Sequence, residues 1–147
     1  MVHMNTNAIE IKIVDSWPEE DIVALYKAGG WWKETYDTTC IPAMMRGSFA
    51  FAVAIEKQTN RAVGMGRLLS DGVSDAYIQD LVVLSPHRNK GIGRRLVSTL
   101  LEHGKQHGLV WIGLIAEPGQ EPFYTPLHFK RMKQYVPMKY ENNHADS

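Results

Sequence analysis

Residues 82–94, Val82-Val83-Leu84-Ser85-Pro86-His87-Arg88-Asn89-Lys90-Gly91-Ile92-Gly93-Arg94, constrain the fold of this chain more than any other stretch. An apolar run over 76–84, carrying Tyr77, Ile78, Leu81, Val82, Val83 and Leu84, stops at Ser85-Pro86 and predicts a largely buried strand. From Gly91 to about His107, Ile92, Leu96, Leu100 and Gly104 recur at four-residue spacing with Val97 and Leu101 beside them. That pattern predicts an amphipathic helix ended at Gly108. A strand that stops at a glycine-containing loop just before a long helix leaves backbone N–H groups unpaired at the positive end of the helix dipole. Gly91 and Gly93 let a phosphate approach the main chain closely, and Arg88, Lys90, Arg94 and Arg95 gather positive charge around it. The loop is therefore predicted to hold an anion of pyrophosphate size.

The rest of the chain reads as an alternation of strands and helices. Ile9, Ile11 and Ile13 alternate with Glu10 and Lys12, which predicts a strand over 8–14 with one buried face. Ser16 with Glu19 forms a capping-box pattern, Pro18 falls in the first turn, and Ile22, Val23, Leu25 and Tyr26 form an apolar stripe running to Gly29-Gly30. A first helix follows from these, and a short second helix is expected around 38–45. Segments 48–56 and 62–70 read as an antiparallel pair around the turn residues 57–60, 109–116 as a buried strand, 121–127 as a short helical segment, and 131–140 as one or two closing strands around Pro137. The 147 residues fit one domain over 1–147, with loose tails at 1–7 and 142–147.

Charge and composition exclude several classes of function. Sixteen basic residues balance sixteen acidic ones, so overall charge draws the chain neither to nucleic acid nor to a membrane surface. No apolar run approaches the roughly 20 residues needed to span a bilayer. The single Cys40 has no partner for an internal disulfide, and residues 1–5 lack a signal-peptide pattern, so a cytoplasmic location is expected. His103 and His107 sit four apart on the predicted helix, but no third ligand is evident, and no metal is expected.

Three phosphate-binding patterns compete for the central loop. A Walker loop requires G-x-x-x-x-G-K-[ST], and Gly91-Ile92-Gly93-Arg94-Arg95 supplies neither that spacing nor the lysine–hydroxyl pair. A dinucleotide fingerprint requires a third glycine where Leu96 stands. The third pattern fits: Arg88-Asn89-Lys90-Gly91-Ile92-Gly93 resembles the R/Q-x-x-G-x-G/A signature of the GNAT superfamily of N-acetyltransferases. Downstream, Phe123-Tyr124-Thr125-Pro126-Leu127-His128-Phe129 resembles the family's F/L-Y-x-x-x-G-F segment.

The resemblance implies an α+β fold: a central, mostly antiparallel twisted sheet of six to seven strands flanked by about four helices. It also implies acetyl-CoA as co-substrate, with transfer to a primary amine of a small molecule or peptide by direct attack in a ternary complex. The pantetheine arm would run along the main chain of Leu81, Val82 and Val83, and the pyrophosphate would take N–H groups from Asn89 through Lys90, Gly91, Ile92 and Gly93 to Arg94. Tyr124 would protonate the departing thiolate. A backbone N–H near Val83 suits the oxyanion that builds on the carbonyl. The amine must also lose a proton, and Asp80 and Glu117 are the candidate bases.

The aromatic cluster Trp31, Trp32 and Tyr36, in the variable loop after the first helix, reads either as core packing or as the wall of an acceptor pocket. Pro126 and His128 depart from the family pattern, which keeps open a non-catalytic acyl-CoA sensor or interaction module on the same fold. Exposed strand edges and the closing strands leave room for a homodimer.

Overall fold

A computed structural model describes residues 8–142 of the chain; the expected loose tails lie outside the described residues, apart from Asn142. Two compact units emerge, one ending at Leu114 and one beginning at Ile115. The first holds a five-stranded sheet in the order β1-β2-β3-β4-β5. Its strands are β1 (Ile9–Ile13), β2 (Ala50–Glu56), β3 (Arg61–Ser70), β4 (Asp75–Val83) and β5 (Trp111–Gly113). The first four are antiparallel neighbours, and β5 runs parallel to β4.

Strand alternation sorts the side chains by size. On β2, Phe51, Val53 and Ile55 join a core with Ile22, Leu25 and Tyr26 of α1 (Glu19–Ala28) and with Ile41 and Met45 of α2 (Ile41–Gly47). The intervening Ala50, Ala52 and Ala54 are equally buried but small. On their face lies α3 (Ile92–Gln106), which buries Ile92, Leu96, Val97, Leu100 and Gly104. The close approach is possible because a Cβ on Gly64 would lie 3.1 Å from Leu96 and one on Gly66 would lie 3.3 Å from Leu100. The helix stripe read from the sequence is thus the stripe that seats α3 on the sheet.

The entry to α1 differs from the sequence reading. Ser16 does not cap the helix, because Pro18, with ψ 129°, is the N-cap and its carbonyl accepts from Asp21 N–H at 3.2 Å. The helix starts late enough to leave Ser16 out of reach of the first turn. Asp21 instead becomes a structural tie. It is 3% exposed and accepts from Trp17 Nε1 at 2.9 Å, Arg61 Nε at 2.6 Å and the Ala62 N–H at 3.0 Å. Burial pushes its pKa up, but the donors prevail and hold it below the ordinary carboxylate value.

Two sheet expectations are corrected. β5 spans three residues rather than eight, as the Trp111 ring folds over Gly113, where an added Cβ would meet it at 2.6 Å. Residues 131–140 form no strand among the described residues, so the sheet has five strands instead of six or seven. Gln134 adopts a left-handed φ of 69°, Tyr135 N–H turns back to Met132 O at 3.3 Å, and Pro137 has no N–H for a ladder. The α+β class with four helices holds: α4 (Glu121–Tyr124) lies in the second unit and passes into a 3-10 turn over Thr125–Leu127. Pro126 stands in the first turn of that 3-10 segment, where its missing N–H is tolerated.

Candidate active site

The site grows out of the C-terminal half of β4. β5 pairs with β4 only along Asp75, Ala76 and Tyr77, with the Tyr77 and Trp111 rings set edge to face at 5.3 Å. Past that point, residues 78–83 keep β3 on one edge and, among the described residues, have no strand on the other. Leu84 N–H donates to Val63 O on β3 at 2.8 Å, so strand alternation turns the Val83 peptide group to the open edge. There the Val83 carbonyl accepts from Arg88 Nε at 2.9 Å. Arg88 thus braces the strand end against the loop it opens, and Leu81 and Val83 are only partly buried.

The loop itself turns through a 3-10 segment, Ser85–His87, and two left-handed residues, Asn89 at φ 63° and Gly91 at φ 81°. Gly91 is the N-cap of α3, and the first helical bond runs from Arg95 N–H to Gly91 O at 3.1 Å. The N–H groups of Gly91, Ile92, Gly93 and Arg94 therefore precede the helix ladder, and no side chain among the described residues caps them. A Cβ on Gly91 would meet nothing within 4 Å, so the glycine faces open space that a phosphate can occupy. Lys90 and Arg94 are exposed and form no ion pair among the described residues, whereas Arg95 is committed to Ile9 O at 2.9 Å. Backbone donors, helix dipole and two available cations make an anion cradle.

Asp80 sits where β4 carries a bulge. Two steps along β3, from Met65 to Arg67, oppose three along β4, from Val82 to Gln79. Asp80 takes up the extra residue with φ 59°, a conformation that strains most side chains. Its Oδ2 accepts from Tyr26 Oη at 2.7 Å and from Arg67 Nε at 2.8 Å. Tyr26 Oη also lies 3.2 Å from Met44 Sδ, and Arg67 reaches Ser48 Oγ at 3.5 Å. Burial, with the Asp80 hydrogen bond second, drives the Tyr26 pKa far above its ordinary value. The phenol stays protonated and remains a donor. Tyr26 and Arg67 escaped the sequence reading. The signal available was a single arginine inside the otherwise apolar run Ala62–Leu69.

The aromatic cluster divides. Trp31 packs edge to face on Tyr26 at 6.1 Å, which puts it beside the Asp80 network, while Trp32 pairs with the exposed Tyr36 at 5.4 Å. Both tryptophans lean on the core of the first unit. Cys40 is exposed just before α2. His103 and His107 lie ring to ring at 4.4 Å beside Phe49, and His107 Nδ1 is 2.8 Å from His103 O. Among the described residues no three metal-ligating side chains gather.

In the second unit Tyr124 is partly buried between Phe123 and Phe129, with ring centroids at 4.9 and 5.7 Å. Burial, then the charge of Glu117, raises its pKa, so the hydroxyl keeps its proton. Glu117 is exposed. His128, standing where the family pattern has glycine, takes φ 72°, so the backbone there retains a conformation suited to glycine.

Known acetyltransferases resemble this chain in sequence and in fold. GCN5-related N-acetyltransferase 1, chloroplastic, of Arabidopsis thaliana is 32% identical over 93 residues, 63% of this chain and 47% of that protein. A protein of Pyropia yezoensis described as an uncharacterized N-acetyltransferase, ycf52, is 30% identical over 101 residues, 68% of this chain and 58% of its own length. The chain thus spans about half the length of the curated relatives it matches. Among solved structures, a GNAT family acetyltransferase of Streptococcus pneumoniae TIGR4 superposes with a TM-score of 0.76 at 27% identity, over 92% of this chain and 98% of the other. The model of the acetyltransferase (GNAT) family matches residues 13–129, most of the length, and the chain belongs to that family.

Proposed function

We propose that this chain transfers an acetyl group from acetyl-CoA to a primary amine of a small molecule or peptide, by direct attack in a ternary complex. The observation that carries the reading is the uncapped start of α3, with left-handed Asn89 and Gly91, directly beyond the β4 edge that β5 leaves open. An extended pantetheine chain suits that edge, and a pyrophosphate suits the cradle. When bound, acetyl-CoA supplies a thioester already activated toward amines.

The chain's own residues then have separate tasks. N–H groups from Asn89 to Arg94, with Lys90 and Arg94, hold the pyrophosphate, and the main chain of Leu81 to Val83 aligns the arm. The Val83 N–H, turned to the open edge, donates to the carbonyl oxygen as negative charge builds there. The amine's C–N bond forms as the C–S bond breaks. Tyr124 gives its proton to the departing sulfur, a role supported by its motif and its raised pKa. The attacking nitrogen gives up its own proton to a carboxylate, directly or through water. Of Asp80 and Glu117, Asp80 is favoured because it lies on the coenzyme strand and is half-buried in a fixed geometry.

A coenzyme-release assay across a panel of primary amines tests the reading. Thiol release that depends on both acetyl-CoA and amine supports it. Coenzyme binding without release from any amine supports the sensor reading instead, and absence of binding at millimolar coenzyme defeats both.

A further inference from the structure

The bulge in β4 gives one carboxylate a constrained and unusual setting. Both bonds to Asp80 fall on Oδ2, from Tyr26 Oη at 2.7 Å and Arg67 Nε at 2.8 Å. Oδ1 has no donor among the described residues, yet no buried side-chain nitrogen or oxygen there lacks a partner, so Oδ1 opens onto solvent. An ionised carboxylate offers about four acceptor positions, and the clamp uses two of them on one oxygen. The clamp also fixes the carboxylate plane, so the remaining lone pairs point in one direction. The clamp's own donor is held in turn: Trp31 packs edge to face on the Tyr26 ring at 6.1 Å, and Met44 Sδ lies 3.2 Å from Tyr26 Oη. Asp80 holds φ 59° to reach this position, a strained conformation that persists where surrounding structure fixes it and that clusters at ligand sites.

We infer that Asp80 Oδ1 receives the ammonium of the acceptor, that Tyr26 and Arg67 are positioning residues holding the carboxylate in place, and that the acceptors of this site are amines cationic in solution. The inference rests on the acetyltransferase reading for the identity of the pocket but not for its test. A charge-assisted hydrogen bond of this kind discriminates a cation from a neutral analogue of similar shape.

The test is calorimetric titration of the protein, alone and loaded with coenzyme A so that no turnover intervenes, with 2-phenylethylamine, cationic at neutral pH, and with aniline, neutral there. The wild-type protein is expected to prefer the cation. Asp80→Asn should weaken 2-phenylethylamine by about tenfold to a hundredfold, the worth of one charge-assisted hydrogen bond, and change aniline less than about twofold. Tyr26→Phe, which removes only a hydroxyl, should weaken the cation by a few-fold, and Arg67→Lys should keep more of its affinity than Arg67→Met. Equal loss for both amines, or no loss for the cation, overturns the inference. Titration with coenzyme A alone separates the two failures: a protein that binds the amine but no coenzyme sinks the acetyltransferase reading and leaves the ammonium site standing.

Discussion

Replacing Gly91 with valine separates backbone strain from loss of the cradle. Gly91 holds φ 81°, and Gly108 and Gly119 hold 81° and 82°, each with nothing within 4 Å of an added Cβ. A β-branched residue at any of the three should therefore cost a similar amount of stability, about 1–3 kcal/mol. For a chain of this size that is a fall in Tm of about 3–10 °C. Of the three, only Gly91 is the N-cap of α3, next to the N–H groups that open the helix. Losing even one or two N–H contacts to a charged phosphate, worth about 1.5–3 kcal/mol each, raises Kd by at least about tenfold. The assay is paired: thermal melts and calorimetric titration of acetyl-CoA for Gly91→Val, Gly108→Val and Gly119→Val. All three melts should fall together while affinity collapses only for Gly91→Val. Equal affinity in all three variants, or equal loss, would refute the assignment of the cradle.

Tyr124→Phe should lower turnover by about a hundredfold to ten-thousandfold and leave acetyl-CoA affinity within about twofold, and a parallel loss of affinity would remove its role as acid. The Tyr124 pKa is raised first by burial and then by Glu117, so Glu117→Gln should move the alkaline limb of the rate profile toward lower pH. A limb that stays in place would show that another group sets it. Asp21→Ala leaves the Ala62 N–H and Trp17 Nε1 without their acceptor, at a cost of about 2–4 kcal/mol by denaturant titration. Because the folded-state pKa of Asp21 is depressed, its contribution is present above the unfolded value near 3.9 and is lost as pH falls through the folded one. The acid limb of wild-type stability below about pH 4 should therefore flatten in the variant. His128→Gly relieves φ 72° and should raise Tm by about 2–4 °C in a thermal melt, and an unchanged or lower Tm would show that the histidine is not strained there.

The sequence carried those features that are local. The four-residue recurrence of Ile92, Leu96, Leu100 and Gly104 determines which face of α3 is buried, and Gly91 marks its start, so helix and cradle could be read together. The alternation of Ile9 to Ile13 and the runs of β2, β3 and β4 were equally legible. Features that depend on what a segment meets were not. Residues 131–140 have the composition of a strand, but Gln134 and Pro137 interrupt any ladder. Ser16 and Glu19 have capping-box spacing, yet Pro18 moves the helix start past the serine. Asp80 could be named as a carboxylate near the end of a buried strand, whereas its clamp joins Tyr26, 54 residues away, to Arg67, 13 residues away, and no periodicity records such a meeting.

Isothermal titration of the wild-type protein with acetyl-CoA tests the central claim most directly. Saturable one-to-one binding, competed by coenzyme A and weakened by Gly91→Val but not by Gly119→Val, is the expected result. Absence of binding heat up to millimolar ligand, in protein that melts cooperatively, would contradict the claim that the loop from Arg88 to Arg94 is a coenzyme cradle.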